Sequence, residues 1–230
     1  MCGRYSLLEL ADFLALFPWA AASEKFAPRY NIAPAQPVLV LCNRQGGIFE
    51  HMLWGLIPVW ARPEIGVKPM INARAETVAQ KPAFRGSLRH KRCVVPASGF
   101  YEWQKTAAGK QPHYIQLAGG KPMLFAGLWE DSHDGAGGEI RTNCIITTAA
   151  NDFMRPIHDR MPALLSPEDA RRWIQTPNTQ AEALLPLLKP YAGKMMAIAV
   201  GRAVNSPACD RPDCIQPLED KGLFGKQQAG

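Results

Sequence analysis

The second residue of the chain is a cysteine, and loss of Met1 would leave it with a free α-amine beside its thiol. Such a 1,2-aminothiol can form an imine with an aldehyde, after which the thiol adds to the imine carbon and closes a five-membered thiazolidine. Because the closure is intramolecular, it has a large effective molarity and traps an imine that water would otherwise reverse. Cys2 can equally be a small residue at a frayed terminus with no chemical role, and its position alone leaves both interpretations open.

A polar motif occurs at Asn72-Ala73-Arg74-Ala75-Glu76. If the backbone is extended, Asn72, Arg74 and Glu76 share one face and the two alanines share the other. The segment would then offer a hydrogen-bonding face with small residues behind it. The alternative is a solvated strand or loop with a local ion pair between Arg74 and Glu76.

A carboxylate lies inside the aromatic segment Phe100-Tyr101-Glu102-Trp103. Strand alternation predicts Phe100 and Glu102 on one side and Tyr101 and Trp103 on the other. A carboxyl group held against aromatic surface keeps its proton nearer to neutral pH and can act as a general acid or base. The alternative is a glutamate on an edge strand, exposed to water.

A histidine with a charged pair directly beside it occurs in His158-Asp159-Arg160-Met161-Pro162. His158 could move protons near neutral pH, and Pro162 would stiffen the segment. A hydrogen-bonded histidine with a purely structural role is the alternative.

Basic and aromatic residues suited to nucleic acid are also present. Beyond Arg4, Arg74 and Arg160 in the motifs, a basic cluster is formed by Arg85, Arg89, His90, Lys91 and Arg92. Single-stranded nucleic acid needs cations for its phosphates and exposed aromatic faces for its bases. The aromatic candidates are Trp54, Trp60, Tyr101 and Trp103. The alternative is a solvated charged face with core tryptophans, and Trp54, in an apolar strand, is expected in the core.

The elements that must position these groups can be predicted from spacing. Ser6-x-x-Glu9 resembles a capping box, and apolar residues at helical spacing follow up to Phe17, so a helix is predicted directly after Cys2. Ser166 and Pro167 predict the start of a second helix, and Thr179 that of a third.

Strand candidates outnumber these helices. A hairpin is predicted from Val38–Asn43 and Ile48–Leu56, and further strands at Cys93–Val95, Gly99–Lys105, His113–Leu117, Met123–Trp129, Arg141–Thr148 and Met195–Val200. Strands that do not alternate with helices indicate an α+β fold, with a predominantly antiparallel, barrel-like mixed sheet flanked by helices. We predict one domain over residues 1–218 and a disordered tail over 219–230.

Composition narrows the function classes. The chain has 230 residues, of which 47% are hydrophobic, and a formal net charge of +6 that permits a nucleic-acid partner without requiring one. The sequence contains no run of about 18 apolar residues, which a membrane-spanning helix would need, and its N-terminus does not resemble a secretion signal. A cytoplasmic protein with six reduced cysteines is therefore expected, and Cys209 and Cys214 alone make a weak case for zinc.

Taken together, the motifs resemble the SRAP family, the SOS response-associated peptidases, also called abasic-site processing proteins. The matching segments run in the family's order from Cys2 to about Leu218. They are Met1-Cys2-Gly3-Arg4, Arg29-Tyr30-Asn31-Ile32-Ala33-Pro34, Trp54-Gly55-Leu56-Ile57-Pro58, Asn72-Ala73-Arg74-Ala75-Glu76, Gly99-Phe100-Tyr101-Glu102-Trp103, His158-Asp159-Arg160-Met161-Pro162 and Val204-Asn205.

The resemblance implies a protein of DNA repair that crosslinks covalently to DNA after losing Met1. Cys2 would capture the ring-opened aldehyde of an abasic site in single-stranded DNA as a thiazolidine. Asn72 would orient the substrate or Cys2, Glu102 would move protons during ring opening and release, and His158 would assist Schiff-base formation and its reversal. The expected DNA contacts are Arg4, Arg74, Arg85, Arg160 and Trp60.

No cofactor, no metal and no membrane partner are expected, and the protein is expected to be a monomer that associates with the nucleoid when bound to DNA. Two other functions remain open. The chain could be a cysteine-type peptidase with Cys2 as N-terminal nucleophile, whose minimal activity would be removal of its own Met1. It could also be a single-stranded DNA binder without catalysis, which would show no preference for abasic sites.

Overall fold

The structure is a computed structural model that describes residues 2–22, 27–61, 68–133 and 138–218. Met1 and the predicted tail at 219–230 lie outside the described residues.

Thirteen strands and three α-helices are found within these ranges. The strands are β1 (Tyr5–Leu7), β2 (Ala21–Ala22), β3 (Arg29–Ile32), β4 (Pro37–Cys42), β5 (Ile48–Trp54), β6 (Asn72–Arg74), β7 (Arg92–Ala97), β8 (Gly99–Thr106), β9 (Gly109–Leu117), β10 (Met123–His133), β11 (Glu139–Ala149), β12 (Arg160–Pro162) and β13 (Met195–Ala199). The helices are α1 (Ala11–Leu16), α2 (Pro82–His90) and α3 (Pro167–Gln175). No helix among the described residues is long and apolar enough to cross a membrane.

Five strands close into a barrel. The predicted hairpin is confirmed as β4 and β5, and the sheet continues from β4 through β7 and β10 to β11 by antiparallel pairing. A short parallel pairing of β11 with β5, Thr142 opposite Leu53, closes the ring. The α+β fold with a barrel-like mixed sheet is therefore confirmed.

A second sheet carries the N-terminus. Its strand order is β13-β9-β8-β1-β3, so β1 is an interior strand with neighbours on both edges. The Tyr101 amide donates to the Arg4 carbonyl at 3.0 Å, which extends this pairing towards Cys2. Tyr5 packs its ring edge-on against Trp54 of the barrel, with centroids 5.3 Å apart. Cys2 is therefore held at the junction of the two sheets.

The predicted capping box at Ser6 is wrong. Ser6 is a fully buried residue of β1, and its hydroxyl lies 2.7 Å from the Tyr114 hydroxyl. The helix starts later, at Ala11, and Leu10 at its N-cap supplies no side-chain cap. Strand pairing on both edges of β1 outweighs the local capping signal, which acts over one turn only.

The later helices and the tryptophan core were predicted more closely. Ser166 caps α3 by accepting a hydrogen bond from the Asp169 amide at 3.0 Å, and Pro167 lies in the first turn. The segment predicted to start at Thr179 is a 3-10 helix, Asn178–Leu187, with Pro186 inside it. Trp54 is 1% exposed, which confirms its predicted place in the core.

Arg92, one of the five residues of the predicted basic cluster, is not available to a nucleic acid. It is fully buried, and its guanidinium donates to four backbone carbonyls at the C-terminal ends of two helices. The acceptors are Leu88 and Arg89 in α2, Trp173 in α3, and Thr176 just beyond α3. A cation at a helix C-terminus offsets the unpaired carbonyls and the negative end of the helix dipole. Arg92 therefore joins α2 and α3 and does not face a ligand.

Replacing Arg92 with methionine is expected to lower the free energy of unfolding by about 2 kcal/mol. Hydrogen bonds from a charged donor contribute about 1.5–3 kcal/mol, and the removed cost of burying the charge offsets part of their loss. Thermal unfolding measures the change, and Arg89→Met is the matched control because Arg89 is exposed and pairs with Glu182 on the surface. Equal stability of the two variants would contradict this role.

Candidate active site

Four elements contribute the four predicted catalytic residues. Cys2 precedes β1, Asn72 is the first residue of β6, Glu102 lies in β8, and His158 lies two residues before β12. Strands β6 and β12 pair with the same end of β11, where Thr147 is opposite both Arg74 and Pro162. Because β8 pairs with β1, Glu102 and the N-terminal segment are brought to the same region.

Asn72 anchors the backbone of Cys2. Its side-chain amide donates to the Cys2 carbonyl at 2.9 Å. Its carbonyl oxygen Oδ1 is buried and accepts no hydrogen bond from the described residues. A buried acceptor without a donor is costly, and a bound water or a ligand atom can satisfy it. Asn72 can therefore hold Cys2 with one end of its amide and offer the other to a ligand.

The Cys2 thiol is fully buried in the main core, with Sγ 3.9 Å from the Arg4 carbonyl. Burial raises the pKa of this thiol far above its usual value, and the negative charge of Glu102 raises it further. At neutral pH the sulfur is consequently a thiol and not a thiolate. Any reaction at this site should therefore begin at another group, or transfer the thiol proton as the sulfur attacks.

Glu102 is 3% exposed and occupies the predicted side of its strand. Phe100 belongs to the main core, whereas Tyr101 and Trp103 pack in a second cluster behind the sheet, which confirms the alternation. Burial raises the pKa of the Glu102 carboxyl, and the positive charge of His158 works in the opposite direction. Glu102 can therefore hold a proton at a higher pH than an exposed glutamate and give it to a bound group.

His158 lies beside Glu102, with Nε2 3.9 Å from Oε2. The Arg160 amide nitrogen is 3.0 Å from His158 Nδ1, which can accept its hydrogen bond when Nδ1 carries no proton. The Asp159 carboxylate is 2.8 Å from the same Nδ1 and can accept a hydrogen bond when this nitrogen carries a proton. Nδ1 therefore has a partner in either tautomer, and Nε2 lies on the side of Glu102.

The polar motif at Asn72 is extended only in part. The strand ends at Arg74, and Glu76 lies in a 3-10 helix, Ala75–Thr77. Glu76 makes a bidentate pair with Arg160, with distances of 2.7 and 2.9 Å, and this pair holds the pKa of Glu76 below its usual value. Arg160 also donates to the Thr147 carbonyl at 2.7 Å. Its charge is thus shared with a carboxylate at the edge of the site.

The other predicted DNA contacts differ in their surroundings. Arg4 donates to Asn31 Oδ1 and to the carbonyls of Val204 and Asn205, at 2.9, 2.6 and 3.2 Å. Arg74 is exposed, two residues from Asn72. Arg85 is exposed on α2, which packs on β7 and β10. Trp60 is 58% exposed. Their roles as DNA contacts stay predictions.

Two residues missed by the sequence analysis, Asn31 and Asp210, join β3 to the C-terminal part of the chain, and Asn31 also binds Arg4. We call residues 204–214 the C-terminal clasp, because they are bound to β3. Asn31 donates to the carbonyls of Val204, Ser206 and Cys209 at 2.7–3.1 Å. Asp210 accepts from the amides of Tyr30 and Asn31 and pairs with Arg29. Asn31 lies in a family segment, but no local signal connects Asp210 to a strand about 180 positions earlier.

No group of three or more His, Cys, Asp and Glu side chains that could hold a metal ion occurs among the described residues. The four predicted catalytic residues place a thiol, an amide, a carboxyl and an imidazole around the N-terminal segment.

Comparison with known proteins assigns the chain to one family. The chain matches the family described as SRAP, SOS response associated peptidase, over residues 1–207. It belongs to this family.

Relatives in both bacteria and vertebrates share it. Abasic site processing protein YoqW of Bacillus subtilis is 41% identical, with 94% of this chain and 99% of that protein covered. Abasic site processing protein YedK of Escherichia coli is 36% identical, over 95% and 100%. Abasic site processing protein HMCES of Gallus gallus is 30% identical, over 85% and 68%. A crystal structure of a Bacteroides thetaiotaomicron protein has a TM-score of 0.82 at 28% identity, covering 94% of this chain and 99% of that one.

Proposed function

We propose that this protein processes abasic sites in single-stranded DNA by capturing them on Cys2 after Met1 has been removed. The observation that supports this most directly is the convergence of Cys2, Asn72, Glu102 and His158 from four separate elements. The names of the relatives, abasic site processing proteins, support the same substrate. The product is a thiazolidine that joins Cys2 to the deoxyribose.

The first step reveals the aldehyde. An abasic sugar is mostly a closed ring, and opening it requires a proton on the ring oxygen and loss of the proton of the C1′ hydroxyl. Glu102 is suited to both transfers because burial raises its pKa. The carboxyl gives its proton to the ring oxygen, and the resulting carboxylate accepts the hydroxyl proton.

The α-amine of Cys2 then attacks the aldehyde carbon. A free α-amine has a pKa of about 7.7–8.0, so a useful fraction is unprotonated at neutral pH. The carbinolamine loses water to give an imine: a doubly protonated His158 gives its Nε2 proton to the departing hydroxyl and keeps its Nδ1 proton, which faces the Asp159 carboxylate. The sulfur next adds to the imine carbon, its proton passes to the nitrogen, and the ring closes. The net change is aldehyde plus aminothiol to thiazolidine plus one water.

Basic residues around the site would bind the flanking phosphates. Arg4 and Arg74 lie next to Cys2 and Asn72 in sequence, and Arg160 lies next to His158 in space. Arg85 and the exposed Trp60 would extend the contact along the strand, with the indole stacking on a base. Peptidase activity, including removal of its own Met1, stays a prediction.

Crosslinking to defined oligonucleotides tests the proposal. Protein lacking Met1, as checked by intact mass, is incubated with single-stranded DNA that carries one abasic site. A heat-stable adduct is expected with this DNA, and none with intact DNA or with a tetrahydrofuran site, which has no aldehyde. Equal, salt-sensitive binding to all three without an adduct would instead identify a non-catalytic single-strand binder.

Asn72→Asp is expected to slow adduct formation about 100-fold. The replacement has the same shape but removes the donor that holds the Cys2 carbonyl, and loss of orientation at a reacting group costs a factor of this order. Single-turnover rates on abasic DNA measure the effect, with Asn43→Asp as a control because Asn43 bonds to Arg92 and Trp129, away from the site. A wild-type rate for Asn72→Asp would show that Cys2 needs no such anchor.

A further inference from the structure

Two cysteines of the C-terminal clasp lie in contact. The Sγ atoms of Cys209 and Cys214 are 3.5 Å apart, and both are free thiols. The Cys214 thiol also donates to the Cys209 carbonyl at 3.2 Å. These residues are five positions apart and are joined by a turn whose backbone is tied by the hydrogen bond from the Cys214 amide to the Arg211 carbonyl.

The pair differs in exposure in a way that suits sequential chemistry. All six cysteines are among the described residues, and Cys209 is the one with intermediate exposure; the other five are buried. Burial also raises the pKa of the Cys214 thiol. Small oxidants therefore reach Cys209 first. The buried Cys214 sulfur is in van der Waals contact with the Cys209 sulfur and can react with it next.

We propose that Cys209 and Cys214 form a peroxide-oxidisable dithiol that closes to an intramolecular disulfide within the C-terminal clasp. The Cys209 sulfur attacks one peroxide oxygen, the O–O bond breaks, and water leaves, which gives a sulfenic acid at Cys209. The Cys214 sulfur then attacks the Cys209 sulfur, the S–O bond breaks, and a second water leaves. Two thiols and one hydrogen peroxide thus give one disulfide and two waters.

Oxidation would alter the hydrogen bonds of the clasp. A disulfide requires the two sulfurs to approach to about 2.05 Å, so the turn must tighten. The Cys209 carbonyl accepts from Asn31 at 2.7 Å as well as from the Cys214 thiol, and oxidation removes the second donor. Asn31 also accepts from Arg4. The redox state of the pair is therefore linked through Asn31 to the segment that carries Cys2.

Mass spectrometry of the full chain tests the inference without DNA, so its outcome is independent of the proposed function. Reduced protein is treated with hydrogen peroxide, quenched, denatured, alkylated and digested with trypsin. Both cysteines fall in one peptide, residues 203–221, because Arg211 is followed by Pro212 and is not cleaved. We expect this peptide to be unalkylated and lighter by two hydrogens, and to form about tenfold or more faster than oxidised forms of the other four cysteines.

Two variants separate a disulfide from other oxidation products. Cys214→Ser should stop at a sulfenic acid on Cys209 that a 1,3-dione captures, and Cys209→Ser should leave Cys214 alkylated. A dithiol reductant should restore both thiols in the wild type. The inference is overturned if peroxide leaves both thiols alkylated, or if Cys209 proceeds to sulfinic acid while Cys214 stays free. The wild-type result decides the matter even if a variant fails to fold.

Discussion

Replacing Cys2 with alanine is expected to abolish the heat-stable adduct with abasic DNA while leaving salt-sensitive DNA binding in place. The variant keeps an α-amine once Met1 is removed, so it can still form an imine, but it has no thiol to close the ring. Ring closure by the thiol is intramolecular, with an effective molarity of about 10⁵ M or more. In the absence of the thiol, water hydrolyses the imine back to the aldehyde and the amine. The expected loss is therefore complete at the sensitivity of a denaturing gel.

Borohydride makes this test specific for the thiol. Reduction of an imine gives a stable secondary amine, so Cys2→Ala should form an adduct with borohydride and none without it. Wild type should crosslink under both conditions. Wild-type protein that retains Met1 should form no adduct at Cys2 under either condition, because the α-nitrogen of Cys2 is then a peptide amide. A heat-stable adduct of Cys2→Ala in the absence of borohydride would disprove the thiazolidine.

Binding controls show that the variant is folded and engages DNA. Cys2 is fully buried, but alanine removes a single sulfur atom, so the loss of packing should be small. Fluorescence anisotropy with intact single-stranded DNA should give similar dissociation constants for the two proteins at each salt concentration. A variant that has lost binding as well would point to a folding defect and not to the chemistry of Cys2.

The parts of the fold that were predictable have strong local signals. Glu102 was placed on the correct side of β8 because alternation with Phe100 and Tyr101 is a property of any strand. The cap of α3 was predictable because Ser166 and its acceptor role are set within one turn. Such patterns depend on neighbouring residues only.

The errors arose where distant residues decide the outcome. Ser6 carries a helix-start signal but is paired in a sheet with residues more than 90 positions away. Arg92 lies among other basic residues in the sequence, and only the packing of α2 and α3 shows that its guanidinium binds the C-terminal ends of both helices. The sequence around Asp210 is that of an ordinary loop, and its hydrogen bonds to β3 depend on the folding of distant segments.

The candidate site combines both kinds of information. Cys2, Glu102 and His158 were identified by residue type, and their proximity depends on the pairing of β1 with β8 and of β12 with β11. The pairing of Arg160 with Glu76 was not predicted, because Arg74 is the basic residue that the local sequence offers to Glu76. That ion pair places a carboxylate where a phosphate was expected to bind.

Glu102→Gln is the second variant with a large expected effect, since it should slow adduct formation by about 10²–10⁴-fold. Glutamine fills the same space and can donate a hydrogen bond, but it can neither release nor accept a proton during ring opening. The rate of the wild type should depend on a protonated Glu102 and fall as pH rises through its raised pKa. That limb of the profile should be missing in the variant, while the rise due to the α-amine near its own pKa remains.

Stability should change in the opposite direction, which distinguishes a catalytic role from a structural one. Burial raises the folded-state pKa of Glu102 above its value of about 4.3 in the unfolded chain. The contribution of protonated Glu102 to the free energy of unfolding is therefore fully present below the pKa of the unfolded state. It is lost as the pH rises through the higher pKa of the folded state. Glutamine stays neutral at both pH values. At pH 8 we therefore expect Glu102→Gln to be more stable than wild type by about 1 kcal/mol in free energy of unfolding, which raises the unfolding temperature by about 2–4 °C. Near pH 4 the two proteins should unfold at the same temperature. A variant that is both slower and less stable at pH 8 would mean that Glu102 supports the fold and not the proton transfers.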